Sequence, residues 1–275
     1  MNRVKHSFKK TQAEQADRHR LYEASVQDTE SELDFVAETF ESLSKRPLRL
    51  LREDFCGTAN TACAFVRNHP ANRAVAIDLD EEVLEWGRRN HFQQLNPEQQ
   101  SRVELVHSDV LKVHEPKADV IVAMNFSYYL FKTRESLRAY FEHCLAGLVE
   151  DGVLILDSFG GFEAHRELEE STEYDGFTYV WDQHAFDPIT HDTVCQIHFE
   201  FPDGSKLKRA FEYHWRLWTL PEIQELLKEA GFNDVGVYWE GTDEETGEGD
   251  GVYTRSEHGE ADAGWIAYLV ARRVN

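Results

Sequence analysis

The fold is decided by the stretch Leu50-Leu51-Arg52-Glu53-Asp54-Phe55-Cys56-Gly57-Thr58-Ala59. It predicts an apolar strand that ends in acidic residues, a turn at Gly57, and a helix over about 59–68. The first N–H groups of a helix have no intrahelical partner, so they are free to donate to a ligand. Because open α/β sheets bind ligands outside the carboxyl ends of their strands, we expect a ligand site at this turn.

Strands and helices alternate on either side of this turn. Strands are predicted over 48–54, 73–78, 103–107, 119–124 and 152–157, with helices between them. Apolar strands that alternate with helices form a parallel sheet with helices on both faces. A further strand pair, predicted over 235–239 and 265–271, completes the expected α/β fold, which is a Rossmann-like, mostly parallel sheet of seven strands.

The pattern changes after Phe159. Three aromatic-rich strands, joined by turn-forming sequences, predict an inserted three-stranded antiparallel sheet over 177–186, 193–201 and 206–218. The predicted organisation is an N-terminal helical or lid segment, a cofactor-binding core, the insert that covers the substrate, and a C-terminal part that completes the core, over 1–46, 47–160, 161–218 and 219–275. The Gly- and Glu-rich stretch 241–264 is predicted to be a long loop, either mobile or functional.

Charge and composition disfavour several classes of partner. The 275 residues include 29 Lys and Arg against 51 Asp and Glu, which is a net charge of −22. Such a surface disfavours nucleic acid, whose phosphates need a basic partner, although segment 1–20 is locally basic. No apolar run approaches the roughly 18 residues of a membrane span, and no secretory signal is evident. We therefore expect a cytoplasmic protein that binds neither nucleic acid nor membranes, with a homodimer left open.

Cysteine and histidine spacing argues against a metal. Cys56, Cys63, Cys144 and Cys195 form no C-x-x-C pair and are expected to be free thiols in a reducing compartment. The sequence contains no H-E-x-x-H motif, so no metal site is predicted.

A second acidic residue, Asp78, ends the next predicted strand and follows Gly57 by 21 residues. At this spacing a carboxylate can accept hydrogen bonds from ribose hydroxyls. Dinucleotide-binding enzymes need G-x-G-x-x-G to approach a pyrophosphate, and this turn has a single glycine. A nucleoside without phosphates is therefore favoured, with a nucleotide-dependent oxidoreductase as the alternative. S-adenosylmethionine is such a nucleoside.

Five short motifs, taken in order, resemble the class I S-adenosylmethionine-dependent methyltransferases. Besides the first turn and Asp78, they are Ser108-Asp109-Val110, the fourth-strand segment Asn125-Phe126-Ser127-Tyr128-Tyr129, and Asp151–Asp157. In the first motif Phe55 and Ala59 depart from the family's glycines. The inserted sheet is similar to that of bacterial small-molecule N-methyltransferases, where it covers the substrate.

This resemblance implies S-adenosylmethionine as the cofactor. The implied binding residues follow from the matching motifs and from the N-terminal segment: Tyr22, Glu53, Phe55, Cys56, Gly57, Thr58, Asp78, Leu79, Asp109, Val110, Asn125 and Phe126. Some also have a purely structural interpretation, since Glu53 and Asp109 could cap helices and Cys56 could be a small turn residue. Tyr22 or Arg20 would cover the cofactor as part of a lid, and a frayed terminus is the alternative.

Methyl transfer is an in-line displacement at an activated carbon, so the protein mainly supplies proximity, orientation and a dry site. Tyr128 and Tyr129 are the predicted catalytic residues. In an extended segment only one of them faces the site, and the other belongs to the core. The expected partner is a small-molecule methyl acceptor, which is an amine, a thiol or a carboxylate, and a non-catalytic cofactor-binding module is the alternative function.

The residues predicted to bind the substrate lie in the insert and just after it: Trp181, His184, Tyr213 and Arg216. The aromatic side chains could instead simply pack. Arg216 could hold a substrate carboxylate in a bidentate pair, or it could pair with an acidic residue of the protein.

Overall fold

The computed structural model describes residues 10–243, 246–247 and 249–274. The chain forms two compact units. Among the described residues, the smaller unit consists of 10–27 and His165–Trp215, and the larger of Asp28–Ala164 and the part of the chain from Arg216 to Val274. The predicted N-terminal segment 1–46 is therefore divided, because its last helix packs into the core of the larger unit.

The larger unit is built on one eight-stranded sheet. Its strands are β1 (Leu50–Asp54), β2 (Arg73–Asp78), β3 (Val103–His107), β4 (Ala118–Ala123), β5 (Leu148–Gly160), β10 (Asp234–Thr242), β11 (Gly249–Ser256) and β12 (Trp265–Arg272). They lie side by side in the order β11-β10-β12-β5-β4-β1-β2-β3. The first five strands are parallel, and the last three pair antiparallel. The chain runs outward from β1 to β3 and then returns to the other side of β1 with β4. Strand order thus reverses at β1, where ligands of such sheets bind.

Helices cover both faces of this sheet. Those of the larger unit are α3 (Thr29–Ser44), α4 (Asn60–Asn68), α5 (Glu81–Asn90), α6 (Pro97–Gln100), α7 (Arg134–Gly147) and α8 (Leu220–Glu229). Side chains at Leu51 and Ile155 point into the cluster beneath α3 and α4. Arg52 and Ile121 alternate with them and meet α7 at Gly147, because successive strand residues face opposite sides. The predicted α/β class is confirmed.

The smaller unit contains a four-stranded antiparallel sheet and two short helices. Its elements are α1 (Gln12–Gln15), α2 (Arg18–Val26), β6 (Leu168–Tyr174), β7 (Phe177–Phe186), β8 (Asp192–Glu200) and β9 (Lys206–Arg216). Leu21, Tyr22 and Val26 of α2 pack on the apolar face of the sheet, and the Tyr174 hydroxyl donates to the Ser25 carbonyl at 3.0 Å.

Two strand counts were predicted wrongly. The inserted sheet has four strands rather than three, and the large sheet eight rather than seven. The missed β6 is an edge strand whose residues 169–173 are all exposed, so it lacks an apolar alternation. The missed β11 lies inside the stretch 241–264 that was predicted to be a loop, and pairing with β10 rather than its own composition makes it a strand.

Candidate cofactor and acceptor site

The turn between β1 and α4 has an unusual backbone. Phe55, Gly57 and Ala59 all have left-handed φ values, of +57°, +52° and +55°. These are the positions where the resembling family carries glycine, the residue that adopts such angles without a steric penalty. A Cβ placed on Gly57 would have no atom within 4 Å, so the space in front of the turn is open.

Asp78 joins this turn to the second strand. Its Oδ2 accepts the Gly57 N–H at 2.7 Å, and its Oδ1 accepts the Asp80 N–H at 2.9 Å. Burial raises the pKa of Asp78, against the opposing effect of these backbone donors. Leu79, the next residue, is 69% exposed, which leaves an apolar side chain beside the carboxylate. The structure brings Gly57, Asp78 and Leu79 together, as a nucleoside site requires.

Gly87 is a residue of this site that the sequence analysis missed. A Cβ at Gly87 would lie 2.0 Å from the Thr58 carbonyl oxygen and 2.6 Å from its carbonyl carbon. Helix α5 therefore packs directly against the backbone of the turn, and only glycine allows this approach. An isolated glycine inside a helical pattern was the available signal.

Two further turns of the candidate site follow the ends of β3 and β4. The Asp109 carboxylate accepts the Leu111 N–H at 3.0 Å and so caps the short 3-10 helix Val110–Lys112. Asn125 and Phe126 follow β4 with left-handed φ values of +56° and +57°. Their N–H groups donate to the two carboxylate oxygens of Asp157 at 2.7 and 2.9 Å.

Three carboxyl groups lie on the face of the sheet that α3 covers. Glu53 accepts the Ala62 N–H at 2.9 Å, so it does cap α4, and burial raises its pKa to about 8. Burial also raises the pKa of Asp157 to about 7. Glu32, on α3, has its pKa raised to about 8 by burial and then by the charges of Asp157 and Glu53.

Glu32 and Asp157 were not predicted as site residues. Asp157 ends an apolar strand, and that position was a usable signal. Glu32 lies one turn into a helix rich in acidic residues, and nothing in the sequence distinguishes it from its exposed neighbours.

Comparison with known proteins agrees with this geometry. Residues 56–154 match the family model described as a methyltransferase domain. This part of the chain is therefore a methyltransferase domain. The family predicted from the five motifs and the predicted cofactor are thus confirmed. No curated protein matched the sequence.

Solved methyltransferase structures share the fold at low sequence identity. An S-adenosylmethionine-dependent methyltransferase from Clostridium acetobutylicum is 19% identical with a TM-score of 0.67, over 93% of this chain and 98% of that one. The amino pentose methyltransferase CalS10 from Micromonospora echinaspora is 17% identical with a TM-score of 0.64, over 93% and 96%. The sugar N-methyltransferase KedS8 from Streptoalloteichus is 16% identical with a TM-score of 0.62, over 94% of each chain.

Tyr128 and Tyr129 of the methyltransferase are not in an extended segment. They lie in the 3-10 helix Ser127–Leu130, and both side chains are fully buried. The Tyr128 hydroxyl donates to the Asp157 carbonyl at 2.8 Å, and the Tyr129 hydroxyl lies 2.6 Å from Ser158 Oγ. The expectation that one of them faces the site is therefore wrong, because both belong to the core and tie the turn after β4 to β5.

Cys56 behaves as a turn residue. Its side chain is buried, and its N–H donates to the Ile77 carbonyl at 3.0 Å. Burial raises the pKa of the thiol well above its usual value, so it is not a nucleophile at neutral pH.

Arg216 of the methyltransferase forms an internal pair. One guanidinium nitrogen donates to Glu222 at 3.0 Å, a second donates to the Lys132 carbonyl at 3.2 Å, and the group lies 3.8 Å from the centre of the Trp218 ring. The hypothesis of a bidentate pair with a substrate carboxylate is not supported, because a protein carboxylate already holds this side chain.

The other predicted acceptor residues belong to the smaller unit. Trp181 and Tyr213 pack in its apolar cluster, and Tyr213 stacks on Trp215 with ring centres 4.4 Å apart. His184 is exposed, with Nδ1 3.5 Å from Asp182. Contact of these residues with the acceptor stays a prediction.

The described residues include one cluster with metal-ligand atoms, formed by Glu169, Asp182 and His198. His198 Nδ1 accepts the Arg209 N–H at 2.8 Å, and Nε2 lies 3.2 Å from Asp182 Oδ2. A neutral imidazole that accepts at Nδ1 carries its proton on Nε2. Nε2 therefore donates to Asp182 and has no lone pair for a metal, so the cluster does not fit a metal site.

The alternative of a frayed terminus is wrong for residues 10–27, because α2 is docked on the inserted sheet. The hypothesis that Tyr22 covers the cofactor stays a prediction.

Proposed function

We propose that this methyltransferase methylates the nitrogen of a small-molecule amine. The observation that carries the proposal is the group formed by the buried Glu53 and Asp157 and the half-buried Glu32. In the described part of the chain, none of the three pairs with a Lys or Arg side chain. Carboxylates removed from water without a balancing cation cost free energy, so a positively charged ligand would bind here favourably.

The residues around the first turn fit S-adenosylmethionine. Asp78 supplies a carboxylate for ribose hydroxyls, Leu79 an exposed apolar side chain for the base, and the open space at Gly57 room for the ligand. We place the adenine edge at Asp109 and Val110. When bound, S-adenosylmethionine supplies an electrophilic methyl group, which leaves sulfur as its bond to the acceptor nitrogen forms.

Aromatic rings next to the carboxyls support an ammonium group as the natural occupant. Phe35 stacks on Tyr268 with ring centres 4.3 Å apart, and Tyr253 meets Tyr268 at 4.6 Å. The charges of Asp157 and Glu32 both act on Tyr268, so the rings and the carboxyls are close. Aromatic faces attract ammonium groups electrostatically, and a neutral thiol or an anionic carboxylate gains nothing from this arrangement.

Glu32 is the group best suited to take the acceptor's proton. An amine must lose a proton to present a lone pair, and a general base works best when its pKa lies near the operating pH. The pKa of Glu32 is about 8, and its carboxylate has no hydrogen-bond partner among the residues that the structure describes. Glu53 and Asp157 are held by backbone N–H groups and are less free to act.

The activities of two structural neighbours favour the same acceptor chemistry. CalS10 is an amino pentose methyltransferase and KedS8 a sugar N-methyltransferase. An amino sugar carries both an ammonium group and hydroxyls, which places it among the acceptors to be tried first.

Replacing Glu32 with glutamine should lower kcat/KM for an amine acceptor by about 10²-fold or more, because the proton acceptor is lost. In the unchanged protein kcat/KM should rise with pH up to about 8, since the base acts only when deprotonated and its pKa is about 8. The variant should lose that part of the rise. Steady-state assays across an amine, thiol and carboxylate panel test both points.

Glu30→Gln is the matched control, because Glu30 is an exposed acid on the same helix. It should keep both the rate and the pH profile. Transfer to a thiol or a carboxylate in preference to every amine would contradict the proposed acceptor.

The four cysteines are free and buried, as suits a reducing cytoplasm. None of the helices in the described part of the chain combines the length and the apolar character needed to cross a bilayer. A homodimer stays a prediction.

A further inference from the structure

The buried ion pair between Arg52 and Asp54 lies on the face of β1 opposite Glu53. Both side chains are almost completely buried, at 2% and 0% exposed. Arg52 Nε donates to Asp54 Oδ1 at 2.6 Å, and Nη2 donates to Oδ2 at 3.2 Å. The Tyr140 hydroxyl donates to the same carboxylate at 3.0 Å. The two side chains therefore form a bidentate pair, and Tyr140 of α7 holds the Asp54 carboxylate in its orientation.

Arg52 also binds two backbone carbonyls of the segment between β3 and β4. Nη2 donates to the Val110 carbonyl at 3.0 Å, and Nη1 donates to the Val113 carbonyl at 2.8 Å. These carbonyls belong to the loop that carries Asp109 and Val110. The Arg52 guanidinium thus connects β1, which leads into the turn at 55–59, with the loop 108–113, where the adenine edge is proposed to bind.

Stability alone does not account for this arrangement. A buried ion pair is often no more stabilising than apolar residues of the same volume, because desolvation offsets the attraction. A planar guanidinium with several fixed donors is instead well suited to hold separate groups in one geometry. Gly147 supports this view, since a Cβ there would lie 2.9 Å from Arg52 Nη1 and would displace it.

We infer that Arg52 is a positioning residue that sets the loop 108–113 for recognition of the adenine of the cofactor, with the bidentate bond to Asp54 fixing its guanidinium. The inference rests on the proposed placement of the adenine at Asp109 and Val110. Arg52 does not touch the ligand. It acts through the Val110 and Val113 carbonyls.

The test compares S-adenosylhomocysteine with S-inosylhomocysteine, in which a carbonyl replaces the exocyclic amine of the base. Arg52→Lys should raise the Kd of S-adenosylhomocysteine, measured by calorimetry, by about tenfold, the effect of one lost well-placed interaction. It should also reduce the preference for S-adenosylhomocysteine over S-inosylhomocysteine. If Arg52 had only a structural role, Arg52→Lys would lower the Tm, and the folded fraction of the variant would keep the wild-type preference.

Two control variants separate positioning from stability. Arg46→Lys disrupts another bidentate pair, with Asp151 at 2.7 Å for both bonds, and should leave the preference unchanged. Tyr140→Phe removes one hydrogen bond to Asp54 and keeps both carbonyl contacts, so it should lower the Tm without altering the preference. If Arg52→Lys does not fold, the charge-free pair Arg52→Gln/Asp54→Asn takes its place.

Backbone hydrogen exchange of residues 108–113, measured without ligand, distinguishes failure of the proposed adenine placement from failure of the positioning role. Faster exchange together with an unchanged Kd would show that Arg52 holds the loop but that the adenine lies elsewhere, which overturns the proposed placement. Unchanged exchange and an unchanged preference in a folded variant would overturn the positioning role itself.

Discussion

Asp78→Ala is expected to weaken binding of S-adenosylmethionine by about 10- to 150-fold, because a hydrogen bond to a charged acceptor contributes about 1.5–3 kcal/mol. The structure adds a second reason for a large effect. The same carboxylate accepts the Gly57 N–H at 2.7 Å, so its removal also releases the turn that faces the ligand. Calorimetry with S-adenosylmethionine and with S-adenosylhomocysteine measures the loss, which should be similar for both because they share the ribose.

Glu81→Gln is the control for Asp78→Ala. Glu81 is an exposed acid at the start of α5, so this variant removes one negative charge near the site and no ligand contact. Its Kd should equal that of the unchanged protein. Wild-type affinity in a folded Asp78→Ala protein would show that the ribose is bound elsewhere.

Gly87→Ala is expected to lower the free energy of unfolding by about 2 kcal/mol, the difference between an overpacking cost of about 3 and a gain of about 1 in helix propensity. The new methyl group would lie 2.0 Å from the Thr58 carbonyl oxygen, so either α5 or the cofactor turn must move. The Tm should fall by about 4–8 °C for a chain of this size. Cofactor affinity should fall as well, because the displaced backbone belongs to the turn.

Gly264→Ala is the matched substitution at a harmless position. A Cβ on Gly264 would meet nothing within 4 Å, and its φ lies outside the left-handed region. Thermal unfolding and cofactor titration should both remain at their wild-type values. A Tm for Gly87→Ala equal to that of Gly264→Ala would mean that α5 does not press on the turn.

Strands β2, β4 and β5 were predictable because each contains a continuous apolar run, and the helices around them have clear caps such as Asp80 and Thr133. Strands β6 and β11 were not predictable. Both lie at sheet edges and carry exposed side chains, so the backbone hydrogen bonds to β7 and β10 define them instead of any side-chain pattern.

The candidate site also contains some features that the sequence indicated and others that it did not. The residues of the turn and Asp78 could be proposed from the sequence because the separation of 21 residues between Gly57 and Asp78 is typical of a turn followed by a ribose-binding acid. Phe55 and Ala59 stand where the family carries glycine. Both have positive φ values, although neither residue type favours them. Tyr128 and Tyr129 were misassigned because a 3-10 helix, rather than an extended strand, turns both rings into the core.

The α/β class and the family of the domain followed from the sequence alone, and the same patterns predicted that the turn after β1 and Asp78 bind the cofactor. These features are local, since each depends on residue types at fixed separations along the chain. Packing of the whole chain was needed to bring Glu32 within electrostatic range of Asp157 and Glu53, to place Arg52 on the carbonyls of Val110 and Val113, and to press α5 against Thr58. Each of these arrangements joins residues from separate elements, and their distance depends on how helices and strands pack rather than on any pattern that a single element carries.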